Sequence, residues 1–162
     1  MTSHIRIRPT ALIMNEGHIL LIEYQENNQY HYNLPGGGVE QGESVTDTLR
    51  RELLEEANVE IKIGKIAFLY EYCPHKQSGD YDSETPVLNI IFDCEIQDGF
   101  IAKLPESPDP NQVGVRWIPI DKLDSIILYP NIREHIVEYS KTRRNIELIE
   151  DHQLKSYLSN IE

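Results

Sequence analysis

Three glutamates crowd one short stretch of this chain: Glu52, Glu55 and Glu56. The residues around them read as a helix from Ser44 to Ala57. It opens on Ser44-Val45-Thr46-Asp47, a capping box with Asp in place of the preferred Glu or Gln, and closes at Asn58, which tolerates a left-handed cap. At roughly 100° per residue from Val45, the apolar residues Val45, Leu49, Leu53, Leu54 and Ala57 fill an arc from 0° to about 180°. Glu56 lands near ~20°, inside that arc, with Glu52 near ~340° and Glu55 near ~280°. Glu52 and Glu56 form a like-charge i, i+4 pair, which costs a few tenths of a kcal/mol. Glu55 and Glu56 also lie in the last turn, where the helix dipole disfavours anions by a similar amount. A bound cation reverses each of these penalties. The plainer explanation is a solvated face on which Arg51 pairs with Glu55.

Just before this helix runs Leu34-Pro35-Gly36-Gly37-Gly38, which neither a helix nor a central strand tolerates. On its own it reads as a tight turn. Beside a helix of carboxylates it supplies what a metal-diphosphate site needs: cation on the carboxylates, phosphate oxygens near the amides of Gly36, Gly37 and Gly38.

Together these residues resemble the Nudix box, G-x5-E-x7-R-E-U-x-E-E-x-G-U, where U is a bulky aliphatic residue. The chain supplies Gly37, Glu43, Arg51, Glu52, Leu53, Glu55, Glu56 and Val59 in register. Asn58 departs, standing where the family has glycine, and Asn33 stands where many members carry an aromatic residue. The resemblance implies an α/β fold of the α+β type, an α/β/α sandwich around a mixed sheet flanked by helices. It implies hydrolysis of the diphosphate linkage in a small nucleoside diphosphate derivative, a nucleotide sugar such as ADP-ribose or a nucleoside triphosphate. The cofactor would be Mg2+ or Mn2+. Carried over by position, Glu52, Glu55 and Glu56 are the metal ligands, with the Gly37 carbonyl in reach. Arg51 and Glu43 organise them. The general base is either Glu52 or a carboxylate of a later loop, where this chain offers Glu106 and Asp109. A second reading is a catalytically weak nucleotide-binding or regulatory module on the same fold, although no box carboxylate is missing. Tyr24, Tyr30, Tyr32, Tyr70 and Tyr72 are candidates for stacking on a base, Tyr32 and Tyr72 foremost. Pro74, fifteen residues beyond Val59, tilts the substrate weakly toward ADP-ribose.

The whole chain has 162 residues, 40% hydrophobic and 26% charged, which suits one globular domain spanning 1–162. The box occupies 37–59, and 143–162 form a C-terminal extension whose structure the pattern leaves open. A formal charge of −12 argues against a nucleic-acid polymer as partner and for a small phosphorylated, nucleotide-like substrate bridged by cations. No apolar run approaches a membrane span. Cys73 and Cys94 are far apart and lack a CxxC spacing, so we expect reduced thiols in a cytoplasmic protein. A homodimer is compatible with everything read so far.

Alternating patterns supply the elements that position the helix. Ile5 to Met14 and His18 to Tyr24 predict a hairpin through Asn15-Glu16-Gly17, and Tyr30 to Tyr32 a short strand. Val59 to Ile63 and Ile66 to Cys73 predict two strands around a turn at Gly64, with a polar loop from Pro74 to Thr85. Val87 to Ile96 and Val113 to Ile118 read as strands, Gln97 to Asn111 as loop, and Ile132 to Ser140 as a helix. Asn145 to Ile149 suits a strand and His152 to Leu158 a helix.

Overall fold

The structure is a computed structural model, and it describes residues 4–76, 83–146, 148–151 and 154–155. Strands β1 (Arg6–Asn15) and β2 (His18–Glu26) meet at Glu16-Gly17, whose φ values of 48° and 75° make a two-residue turn. Such a turn follows the right-handed twist of its strands. The predicted hairpin is only two rungs long, Met14 to Ile19 and Asn15 to His18. Beyond them the strands part. β1 runs parallel to β5 (Val87–Ile96), from Arg6 opposite Val87 to Ile13 opposite Cys94. β2 pairs antiparallel with β3 (Gln29–Asn33) and with β6 (Gln112–Pro119). β4 (Ile61–Tyr72) flanks β5, a two-residue β7 (Leu128–Tyr129) flanks β3, and β8 (Leu148–Glu150) runs parallel to β4. The sheet is mixed, in the order β7-β3-β2-β1-β5-β4-β8, with β6 branching off β2.

Helices cover both faces: α1 (Val45–Ala57) on one, α2 (Arg133–Thr142) with a 3-10 segment (Ile120–Ser125) on the other. Side chains alternate across a strand, so a strand buried on both faces must be apolar in both parities. β1 and β2 obey this. Ala11, Ile13, Leu20 and Ile22 meet Leu49, Leu53 and Ala57 of α1, while Leu12, Ile19 and Leu21 join the core around Ile136 and Tyr139 of α2. The mixed sheet between helices is the expected fold.

Four expectations change. The region around Gly64 is one strand with register shifts, not two strands around a turn. There the backbone presses against β5: a Cβ on Gly64 would lie 2.5 Å from the Asp93 carbonyl oxygen, so a side chain would disrupt the pairing. Leu54 is exposed rather than inward, because the buried face of α1 centres on Leu49, Leu53 and Glu56 and leaves the far end of the apolar arc in solvent. In the tail, the strand lies at Leu148–Glu150, where β4 offers an open edge, rather than at Asn145 to Ile149. The 3-10 segment and β7 were not foreseen, being too short to carry a period. The expected helix from His152 to Leu158 lies outside the described residues apart from Leu154 and Lys155, as does residues 77–82 of the Pro74 to Thr85 loop. No helix among the described residues is long and apolar enough to cross a membrane.

Candidate active site

The glycine loop occupies the edge of β1 that β2 vacates. Ala11 N donates to the Pro35 carbonyl at 2.8 Å, Gly37 N to Pro9 O at 3.3 Å and Val39 N to Ile7 O at 3.0 Å. These main-chain bonds hold the loop against the sheet before α1 begins. The capping box forms as read: Ser44 Oγ accepts from Asp47 N at 3.1 Å, and Asp47 Oδ2 accepts from Ser44 N at 3.1 Å. At the other end Asn58 adopts φ 56°, ψ 39°, and its N–H reaches Leu54 O at 3.1 Å. Asparagine thus makes the left-handed cap in the position where the box has glycine. Gln112 Nε2 donates to the Glu56 carbonyl at 2.8 Å, tying the last turn to β6. Nothing in the sequence pointed to Gln112, whose role comes only from how β6 returns beside the helix.

Arg51 organises the acidic side chains. Its Nε donates to Glu43 Oε1 at 2.6 Å and Nη2 to Glu43 Oε2 at 3.1 Å, a two-pronged pair. Nη1 reaches Glu52 Oε1 at 2.9 Å and Glu55 Oε2 at 3.2 Å. Glu43 also accepts from Thr48 Oγ1 at 2.6 Å. The Arg51 guanidinium, and then the Thr48 hydroxyl, hold the Glu43 carboxyl down at about 2. The hydrogen bond to Glu43 first, and then that to Glu52, push the Arg51 pKa higher still.

Glu56 is the anomaly. It is 4% exposed, and its carboxylate accepts a long hydrogen bond from Gly36 N at 3.4 Å. Burial raises its pKa well above the ordinary carboxylate range, against the pull of Arg8, and Glu52 pushes it the same way. An ionised carboxylate held so deep costs several kcal/mol unless opposite charge compensates it. Glu52 stands alongside under Gly37, where a Cβ would collide with the Glu52 carboxylate. Glycine at position 37 is therefore what admits Glu52 to the site. The donor set, all oxygens, matches a hard dication such as Mg2+. As the side chains stand, no three His, Cys, Asp or Glu among the described residues converge as a metal-binding group.

Beyond the loop lies a cavity of about 300 Å³, lined among others by Arg6, Arg8, Asn33, Tyr72 and Tyr129. Arg8 Nη2 donates to the Gly36 carbonyl at 3.0 Å, so the Gly36 peptide links Arg8 on one side to Glu56 on the other. His31, also in the wall, stacks on Tyr24 with ring centres 5.3 Å apart and meets Tyr129 edge-on at 5.2 Å. Burial lowers the His31 pKa, although Glu26 pulls it up. Two buried atoms in this wall have no hydrogen-bond partner: Arg8 Nε and Asn33 Oδ1. Each costs about 1–3 kcal/mol when left unmade. The site residues read from the sequence divide accordingly. Gly36, Gly37, Glu43, Arg51, Glu52, Glu55 and Glu56 gather around the loop and helix. Gly38 lies under the Arg6 guanidinium and accepts from Arg51 Nη2 at 3.5 Å. Tyr72 lines the cavity, but Tyr32 gives its hydroxyl to Glu23 at 2.7 Å and stands outside the wall. Glu106 is exposed and makes no recorded contact with the others, whereas Asp109 acts electrostatically on Glu56 and Tyr24. Arg8 was missed, although the alternation of Arg6 and Arg8 at the head of an otherwise apolar strand was the available signal.

A loop and capped helix of this construction on a mixed sheet define a class, and comparison with known proteins names it. The NUDIX domain matches residues 4–139, and the chain belongs to that family. It is similar to nucleoside triphosphatase NudI of Salmonella agona, 32% identical over 89 residues, 51% of this chain and 63% of that protein. It is also similar to an RNA pyrophosphohydrolase of Bartonella clarridgeiae, 28% identical over 114 residues and 65% of each chain. The chain thus spans somewhat under two thirds of these relatives' length. Among solved structures, a NUDIX hydrolase from Nitrosomonas europaea superposes with a TM-score of 0.70 at 20% identity, covering 88% of this chain and 93% of that one. An ADP-ribose pyrophosphatase from Streptococcus suis superposes at 0.63 and 24% identity, covering 91% and 100%. These structural likenesses concern the fold.

Proposed function

We propose that the chain is a metal-dependent pyrophosphohydrolase, using Mg2+ or Mn2+ to cleave the diphosphate linkage of a small nucleoside diphosphate derivative. The observation that carries this is Glu56: a carboxylate buried in an otherwise apolar helix face, beside Glu52 and under a backbone loop, is costly unless a cation compensates it. Glu52, Glu55 and Glu56 would hold the metal, with the Gly37 carbonyl as a further oxygen. Such an ion neutralises charge on a diphosphate and lowers the pKa of an attacking water. Arg51 sets the rotamers of Glu52 and Glu55, and Glu43 anchors Arg51. The water attacks phosphorus, the anhydride P–O bond breaks, and a carboxylate accepts the proton. Glu52 is one candidate for that carboxylate. In the later loop Asp109 is better placed than Glu106, because its charge is felt at Glu56.

The relatives named for nucleoside triphosphates and the structure named for ADP-ribose suggest substrates of that size. One relative is named for RNA, but the formal charge of −12 favours a small molecule over a polymer. A cytoplasmic location and a monomer or homodimer complete the reading. The test is a panel of nucleoside triphosphates, nucleotide sugars and dinucleotides with Mg2+, followed for nucleoside monophosphate or pyrophosphate release. Binding without cleavage across the whole panel would replace the hydrolase by the nucleotide-binding module.

A further inference from the structure

The stretch matched by the family domain ends at residue 139, inside α2, yet the chain beyond it returns to the sheet. Its route is pinned at several points. Lys65 Nζ donates to the Arg143 carbonyl at 2.9 Å, and Ile146 N donates to the Ala67 carbonyl at 2.9 Å. β8 then runs parallel to β4 with Ile149 opposite Tyr70, and Ile149 is buried in the core beneath α2. Past β8, Leu154 N donates to the Asp151 carbonyl at 2.9 Å, and Asn131 Nδ2 donates to the Lys155 carbonyl at 3.4 Å. Asn131 directly follows Tyr129 and Pro130, which line the cavity beside the glycine loop. The extension therefore reaches that cavity from two sides, at β4 and at Asn131.

Asp151 is the residue that packing does not explain. It is 1% exposed, and a carboxyl group so deep costs free energy that an apolar side chain would not. Tyr70 Oη donates to Asp151 Oδ1 at 2.6 Å. Tyr70 lines the cavity, stands opposite Asn89 of β5, and Asn89 stands opposite Arg8 of β1. Residues in register across a sheet share a face, so Tyr70, Asn89 and Arg8 form one row along the cavity. The row ends at the glycine loop, where Arg8 Nη2 holds the Gly36 carbonyl at 3.0 Å. A bond at the hydroxyl, the far end of the ring, holds the direction in which Tyr70 leaves β4.

We propose that Asp151 is a positioning residue for the substrate: from beyond the family domain it fixes the direction of the Tyr70 ring, and so the shape of the cavity in which Asn89 and Arg8 stand. The role rests on the reading of the neighbouring carboxylates as a diphosphate hydrolase, whose substrate extends past the glycine loop into this cavity. Those carboxylates belong to α1, which packs on the opposite core from Tyr70 and Ile149. Loss of the Asp151 bond is therefore felt in substrate binding and not in the chemical step.

Steady-state kinetics of the full chain on the best substrate of the Mg2+ panel separates the two. Asp151→Ala should raise KM about tenfold, the loss of one charge-assisted hydrogen bond, and leave kcat within about twofold. Asp151→Asn should return KM close to wild type, because its amide oxygen still accepts from Tyr70. Tyr70→Phe removes the donor, and in that background Asp151→Ala should add nothing further to KM. If Asp151→Ala does not fold, Asp151→Leu, closer in shape, serves the same comparison. An unchanged KM, a fall in kcat with KM unmoved, or a full second increment in the Tyr70→Phe background overturns the proposal, while turnover itself keeps the hydrolase reading. If nothing on the panel is cleaved, that reading falls, and calorimetric titration with ADP-ribose and Mg2+ takes the place of KM. Binding that weakens in Asp151→Ala and recovers in Asp151→Asn then retains the positioning role. Binding that ignores Asp151, or no binding at all, ends it.

Discussion

Arg51 grips Glu43 with two nitrogens, Nε at 2.6 Å and Nη2 at 3.1 Å, across eight residues of chain that include the helix cap. The pair joins the loop that enters α1 to the middle of that helix. Its energetic signature is a dependence on pH. Glu43 titrates at about 2 in the fold against 4.5 for an ordinary glutamate. A depressed pKa means the unfolded chain binds the proton more readily. The pair's contribution is therefore full above pH 4.5 and is lost as pH falls toward 2. Glu43→Gln should melt lower than wild type at pH 6 and converge on it near pH 2. Parallel melting curves with a constant gap at every pH would show that the Arg51 pair stabilises nothing.

Removal of metal should abolish turnover on the best panel substrate, because Arg51 is already shared among Glu43, Glu52 and Glu55 and cannot also neutralise a diphosphate. Excess EDTA followed by restored Mg2+ or Mn2+ checks it. Unchanged rates in the chelator would remove the metal from the proposed chemistry.

Glu56→Gln keeps shape and hydrogen-bonding capacity while deleting the charge. Turnover should fall by several powers of ten, since charge neutralisation by metal dominates phosphoryl transfer. Metal-free stability should hold or rise, because repulsion from Glu52 disappears. Steady-state rates and metal-free melts on both proteins decide the matter. A variant that melts lower yet turns over normally makes Glu56 a structural residue.

Asn58 caps α1 at φ 56°. Asn58→Gly should be neutral or slightly stabilising, and Asn58→Val should destabilise by about 1–2 kcal/mol, the left-handed penalty of a substituted Cβ. Chemical denaturation of the three proteins measures both differences. Equal stability for glycine and valine would contradict the cap geometry.

Burial pushes the Cys94 thiol up to about 12, while Cys73 is half-buried. A thiolate reagent at pH 8 should modify one cysteine in the native protein, Cys73, and the second only after denaturation. Mass spectrometry identifies the modified position. Rapid native labelling of Cys94 would mean that the β5 core opens readily.

What the sequence made legible was local. The capping box at Ser44 and Asp47, the cap at Asn58 and the inward position of Glu56 all follow from spacing along one helix, and each is found as read. The bulge at Gly64 was misread because a glycine between β-like runs looks the same whether the chain turns or presses on a neighbour. The partners of Arg8 and Gln112 were hidden for another reason. Those partners, Gly36 and Glu56, lie 28 and 56 residues away, and only the sheet order brings them together. Tyr32 and Tyr72 were equivalent as aromatic candidates; both hydroxyls are bonded, to Glu23 and to the Ser83 carbonyl, and of the two Tyr72 alone lines the cavity.

The three ties between β1 and the glycine loop, at Pro35, Gly37 and Val39, run entirely through main-chain atoms. On β1 any residue able to remain extended preserves them, whereas Gly36 and Gly37 on the loop have no room for a Cβ. Substitutions at Arg6 can therefore change what the cavity admits while the carboxylate helix stays in register with its loop, whereas Arg8 also holds that loop through the Gly36 carbonyl. Descendants of such a chain can diverge in diet and keep the same knife, because the blade is set by the backbone and the appetite by side chains.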